Sequence, residues 1–181
     1  MPQTSVLSTM AIGSAGQLAD EFTASDGDAI AGTNEEAAAN IAFGLLAYRS
    51  SVDGVKLPTS LALVKDAAGI LIKEELFDVT TQLADATVHT NVQSAIKPGV
   101  TGSFLRKGRI LVIPENTGTI ASGVFVRIVA GTGSVGGFRT AGVVAETVVL
   151  SALARWLTTP TAGLPAVLEI DLTNVDLATA S

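Results

Sequence analysis

The chain has 181 residues, 48% hydrophobic, 4% aromatic and only 15% charged, with a formal net charge of -6 and no cysteine. That length supports one domain with a sizeable core, and the missing thiols exclude disulfides and thiolate metal sites. An acidic balance argues against nucleic-acid binding. A charge content below the roughly 25% of ordinary soluble domains points to an oligomer or a piece of a larger assembly, because apolar surface is usually covered by partners.

Charge is unevenly placed. Residues 1–48 hold Asp20, Glu21, Asp26, Asp28, Glu35 and Glu36 with no Lys or Arg. Lys97, Arg106, Lys107 and Arg109 form a basic stretch between Asp85 and Glu115. The acidic front and the basic middle can meet within one chain or between copies. The first basic residue is Arg49, which argues against a secretory signal. The most apolar stretch, Ala141 to Leu157, is interrupted by Glu146 and Arg155, so no membrane span is expected.

In chain order, residues 1–34 are rich in Ser, Thr, Ala, Gly and Asp without sustained period, and read as an extended N-terminal arm. Residues 35–181 read as a single β-rich domain. In "TNEEAAANIAFGLLAYRS", Thr33 and Glu36 make a capping box ahead of Ala-rich sequence. Gly44 weakens a helix there, and a strand over 41–48 is an equal reading. Asp53-Gly54 is a hairpin signal, and "SLALVKDAAGILI" fits a short helix or a strand. Residues 73–103 read as a long polar excursion, a candidate insertion with room for one short strand.

The β signal strengthens from residue 104. "GRILVIPENTGTI" reads as strand, turn, strand, and "VFVRIV" alternates Val124, Val126 and Ile128 against Phe125, Arg127 and Val129. The tail is a hairpin: "ARWLTT" and "LPAVLEIDL" flank a turn, with Ala166, Leu168, Ile170 and Leu172 on one face and Val167, Glu169 and Asp171 on the other. Short strands between Gly-rich turns indicate an all-β fold with little helix, a β-sandwich or barrel-like core.

Gly131-Thr132-Gly133-Ser134-Val135-Gly136 matches the G-x-G-x-x-G fingerprint of dinucleotide sites. Such a site needs a helix after the glycines and an acid about 20 residues on. The next residues are "GFRTAGVVAETVVL", where Glu146 comes too early and Glu169 too late. The expected role of Gly131–Gly137 is a turn between strands, with no cofactor. His89 is the sole histidine, so a catalytic triad would rest on it alone. The pairs Asp20/Glu21, Asp26/Asp28, Glu35/Glu36 and Glu74/Glu75 read as solvated surface, and "DGD" at 26–28 lacks the other ligands of a calcium loop. No catalytic residue and no metal site is expected.

The order of "GQLAD", "IAFGLLAY", "GVKLP", "AAGILI", "GRILVIPENTGTIASGVFVRI", "GGFR" and "ARWLTTPTAGLPAVLEIDL" resembles the head decoration, or structural cement, proteins of tailed bacteriophages. The resemblance implies a β-rich, commonly trimeric protein, made in the host cytoplasm, that binds the major capsid protein outside the assembled shell and stiffens it. It also favours a strand over 41–48 and brings no catalytic residues. Phe138, Arg139, Trp156, Arg106 and Arg109 are the candidate interface residues, since aromatics and Arg dominate interface energetics. Two other readings stay open: a tail, fibre or shell component, and a ligand-binding domain using the glycine loop.

Overall fold

The computed structural model describes residues 14–19, 27–64, 66–73 and 95–173. It is essentially all-β, with one helical turn, α1 (Leu61–Val64). Its centre is a ring of five strands. β1 (Asp28–Asn34) pairs with β4 (Gly54–Lys56), β4 with β3 (Leu46–Arg49), β3 with β5 (Ala67–Leu71), β5 with β7 (Thr101–Val112), and β7 back with β1. A closed ring leaves no edge among these strands, the usual β-barrel solution to open hydrogen-bonding groups.

β7 is long enough to serve two ladders in succession. Along 101–107 it pairs with β1, and along 107–112 with β12 (Ala166–Asp171), which in turn pairs with β11 (Ala154–Trp156). A second sheet, β10 (Thr147–Val149), β8 (Phe125–Arg127) and β9 (Phe138–Arg139), packs against this extension. β2 (Ile41–Ala42) and β6 (Ala95–Ile96) form a small pair. Near the start of the described chain, Gly16, Gln17 and Ala19 exchange backbone hydrogen bonds with Leu111 and Arg109 of β7.

Two hydrophobic cores follow from this layout. All five ring strands contribute to the first, which holds Ala47, Val55, Ala68, Leu71 and Phe104 with Ile41 and Ile96 from the small pair. The second lies between the β7–β12–β11 extension and the second sheet, around Ile110, Val112, Val126, Phe138, Trp156, Leu168 and Ile170. The tail hairpin forms as expected: Ala166, Leu168, Ile170 and Leu172 are buried, while Val167, Glu169 and Asp171 reach solvent.

Several local expectations resolve for physical reasons. The capping-box segment makes no helix. Thr33 lies in β1 with its hydroxyl 2.8 Å from that of Thr101, and Glu36 accepts the Leu57 N–H at 2.8 Å. Asn34, buried, donates to the Ala39 and Ile96 carbonyls and accepts from the Glu36 N–H. Side chains of this type hold backbone out of helices by offering it other partners. Gly44, at φ +78°, then turns the chain from β2 into β3. Segment 60–72 holds both of its alternatives, α1 and then β5.

The strand expected after the Pro114 turn is absent, because the Gly118 N–H goes to Pro160 and Ile120 is left exposed. Residues 28–34, which the sequence reading assigned to the arm, form β1. Residues 95–103, from the suspected insertion, contain β6 and the first residues of β7.

Candidate functional site

Gly131–Gly137 joins β8 to β9 as the turn of an antiparallel hairpin, and a two-residue strand, not a helix, comes after it. The loop closes over a side chain of the same chain. The Glu115 carboxylate lies where Gly133 lacks a Cβ, so any side chain at Gly133 would overlap it. A Cβ at Gly137 would stand 2.9 Å from Glu115 Oε1. The Glu115 N–H bonds to the Phe138 carbonyl at 2.9 Å, which fixes the carboxylate under the loop.

Two arginines neutralise that carboxylate. Arg127 Nε donates to both oxygens at 3.0 and 2.9 Å, its Nη2 lies 2.8 Å from Oε2, and Arg139 Nη1 adds a contact of 3.0 Å. Arg127 also reaches Glu146 at 2.9 Å. The Arg127 side chain is only 1% exposed, so its charge depends on these partners. Hydrogen bonding to the Glu115 carboxylate raises its pKa above the ordinary arginine value, against the desolvation that would lower it. Arg127 sits two residues from Phe125 on the face of β8 opposite buried Val126, and the glycine loop covers that face.

A second charged cluster lies on the outer face of β7–β12–β11. Arg109, Glu169 and Arg155 stand in one cross-strand row. Glu169 accepts from Arg109 Nε at 3.1 Å and from Arg155 Nε. Two residues further along the same ladder, Lys107 pairs with Asp171 at 3.6 Å. Hydrogen bonds from Arg155 and then Arg109 hold the Glu169 carboxyl below its ordinary range, and those from the Thr173 hydroxyl and N–H do the same for Asp171. These residues border an open groove of about 310 Å³, floored in part by Gly108, Ala152 and Ala154.

The sequence-derived candidates divide by depth. Phe138 and Trp156 are core residues, each 1% exposed, and Trp156 Nε1 donates to the Gly123 carbonyl at 3.1 Å. Both side chains pack into the second core. Arg106 reaches Asp28 at 3.6 Å and, like Arg109 and Arg139, keeps part of its side chain in solvent. Two of the five candidates thus lie in the core and three keep solvent contact. His89, the pair Asp20/Glu21, Asp26 and the pair Glu74/Glu75 lie outside the described residues.

Among the described residues no group of three or more His, Cys, Asp or Glu is placed to hold a metal, and no helix is long and apolar enough to cross a membrane. Sequence reasoning passed over Glu115 and Glu146. The signal for them was Arg127, a lone cation inside an alternating apolar strand that required a carboxylate partner. Exposed apolar side chains also collect at one end of the extension. Ile113 and Leu164 flank the contact of Gly163 N–H with the Pro114 carbonyl, and Ile120 lies on the adjoining loop.

The fold is shared with a chain of a solved phage capsid. A chain in the solved structure "The capsid of Myoviridae Phage XM1" superposes with a TM-score of 0.61 over 93% of this chain and 96% of that one, at 12% identity. The family follows from the sequence: the pattern of the structural cement proteins (E217 gp24/Pam3 gp6) matches residues 1–173, and the chain belongs to that family. Its role is that of a phage capsid structural protein, as the order of short motifs led one to expect. A comparison with curated protein sequences finds no match.

Proposed function

We propose that this protein binds the outside of the assembled phage capsid as an oligomer, in contact with the major capsid protein, and stabilises the shell. The observation that carries this reading is the agreement of the cement-family pattern with residues 1–173. The surface is consistent with it, since Ile113, Ile120, Leu164 and the 96% exposed Val144 leave apolar area for partners. The chain ahead of β1 contributes contacts to neighbouring subunits, and the β-rich body from β1 onward is the part that sits on the shell. Arg106, Arg109 and Arg139 supply contacts at the surface, while Phe138 and Trp156 support that surface from below. Repetition over many copies turns weak contacts into durable attachment. The protein is made in the host cytoplasm, joins the shell as a trimer and performs no catalysis.

Quantitative mass spectrometry of purified particles tests the reading. A copy number comparable to that of the major shell protein is expected, together with earlier thermal rupture of particles lacking this chain. A handful of copies would instead make it a tail or vertex component. Reversing Arg106 and Arg109 to Glu should weaken attachment to shells, and unchanged attachment would remove both from the contact.

A further inference from the structure

One fingerprint glycine, Gly133, and Gly137 just beyond the fingerprint enclose an anion that the chain itself provides. Gly133 and Gly137 leave the space in which the Glu115 carboxylate lies, and Arg127 and Arg139 face it from the other side. Glu115 is 15% exposed and Arg127 1%, so most of the site is withdrawn from water. We infer that the Gly131–Gly137 loop, with Arg127 and Arg139, is a carboxylate-binding site whose resident ligand is the Glu115 side chain. Once Glu115 is shortened, the same site will take up a free small carboxylate.

Charge and shape both support this. The cluster holds two guanidinium groups against two carboxylates, and losing Glu115 leaves Glu146 alone against Arg127 and Arg139. An uncompensated positive charge then remains in a largely buried place, and it favours an anion. Alanine keeps the Cβ, so the atoms removed are those of one acetate. Arg127 is preorganised for it, because its Nε and Nη2 already form a fork on the carboxylate. The backbone needs no rearrangement either: the Arg127 N–H holds the Gly137 carbonyl and the Gly136 N–H holds the Arg127 carbonyl. The glycines at 133 and 137 thereby have a physical role, since a side chain at either would meet the internal anion.

The test is thermal or urea unfolding of the full chain carrying Glu115→Ala, titrated with sodium acetate and, in parallel, with acetamide and sodium chloride. Acetate should raise the unfolding midpoint of E115A in proportion to the logarithm of its concentration, as a ligand bound only by the folded state does. Acetamide and chloride should give no comparable rise, and the wild type, its site filled, should respond to acetate no more than to chloride. If E115A is unfolded in plain buffer, acetate-dependent recovery of its β-sheet circular dichroism reads the same binding. Glu115→Gln keeps the volume and removes the charge, so its midpoint should fall below wild type and ignore acetate. Equal responses of E115A to acetate and acetamide, no response to either, or a wild-type midpoint for E115Q would each overturn the inference.

Discussion

Arg127 and Glu169 each hold two partners of opposite charge, in settings that differ almost completely. Arg127 is 1% exposed, roofed by a glycine loop, and its main partner Glu115 is 15% exposed. Glu169 is 26% exposed, with Arg155 at 70%, on an open sheet face. In the first cluster the low local dielectric strengthens the attraction, and it equally raises the cost of leaving any member alone. In the second, water and salt screen every member, so the row adds little to stability and remains available to a partner. Similar chemistry thus acts as an internal fastening in one place and as surface in the other.

Removing Arg127 should break the contrast most sharply. Arg127→Met leaves Glu115 without its principal counter-charge, and urea unfolding should show a loss of about 3–5 kcal/mol. Gly133→Ala comes next: its Cβ must displace the Glu115 carboxylate, and overpacking of this kind costs about 1–3 kcal/mol. Glu169→Gln should cost about 0–1 kcal/mol, since it and both partners are open to solvent in part.

The pH dependence of that last cost follows from its sign. The folded carboxyl of Glu169 titrates below the unfolded value of about 4.3. Its contribution is therefore complete above about pH 4.3 and fades as the pH falls through the folded value. Unfolding curves of E169Q and wild type should converge in acid, and a gap that widens there would contradict the assignment. Smallest of all, Arg155→Ala should shift stability by no more than about 0.5 kcal/mol. Molar salt should erase that shift while leaving the Arg127→Met loss largely intact.

The sequence made the second core legible, because strands wet on one face alternate visibly, as "LPAVLEIDL" does. It made the ring far less legible. β2, β4 and β6 are two or three residues long, and β1 is interrupted by Gly32, so their periods are too short to read. Segment 33–48 stayed open between helix and strand for another reason: the buried amide of Asn34 reaches the Ile96 carbonyl and the carboxylate of Glu36 the Leu57 N–H, a tertiary effect no local propensity contains. The glycine loop was recognised as a turn, yet its content was hidden, since Glu115 lies sixteen positions before Gly131. Likewise Trp156 and Phe138 looked like interface anchors by residue type, and only their burial assigns them to the core.

The double duty of β7 sets a timetable for the newborn chain. β1 cannot find its antiparallel partner until residues 101–107 exist, and the second ladder waits for residues 166–171. Pairings so distant in sequence slow folding, because a long loop must close before any contact rewards it. During synthesis the ring strands have their full set of neighbours once β7 has emerged, while the C-terminal half of β7 still shows a bare edge and the side chains of an unfinished core. On the side that β12 takes, that half is covered only as the last strand arrives.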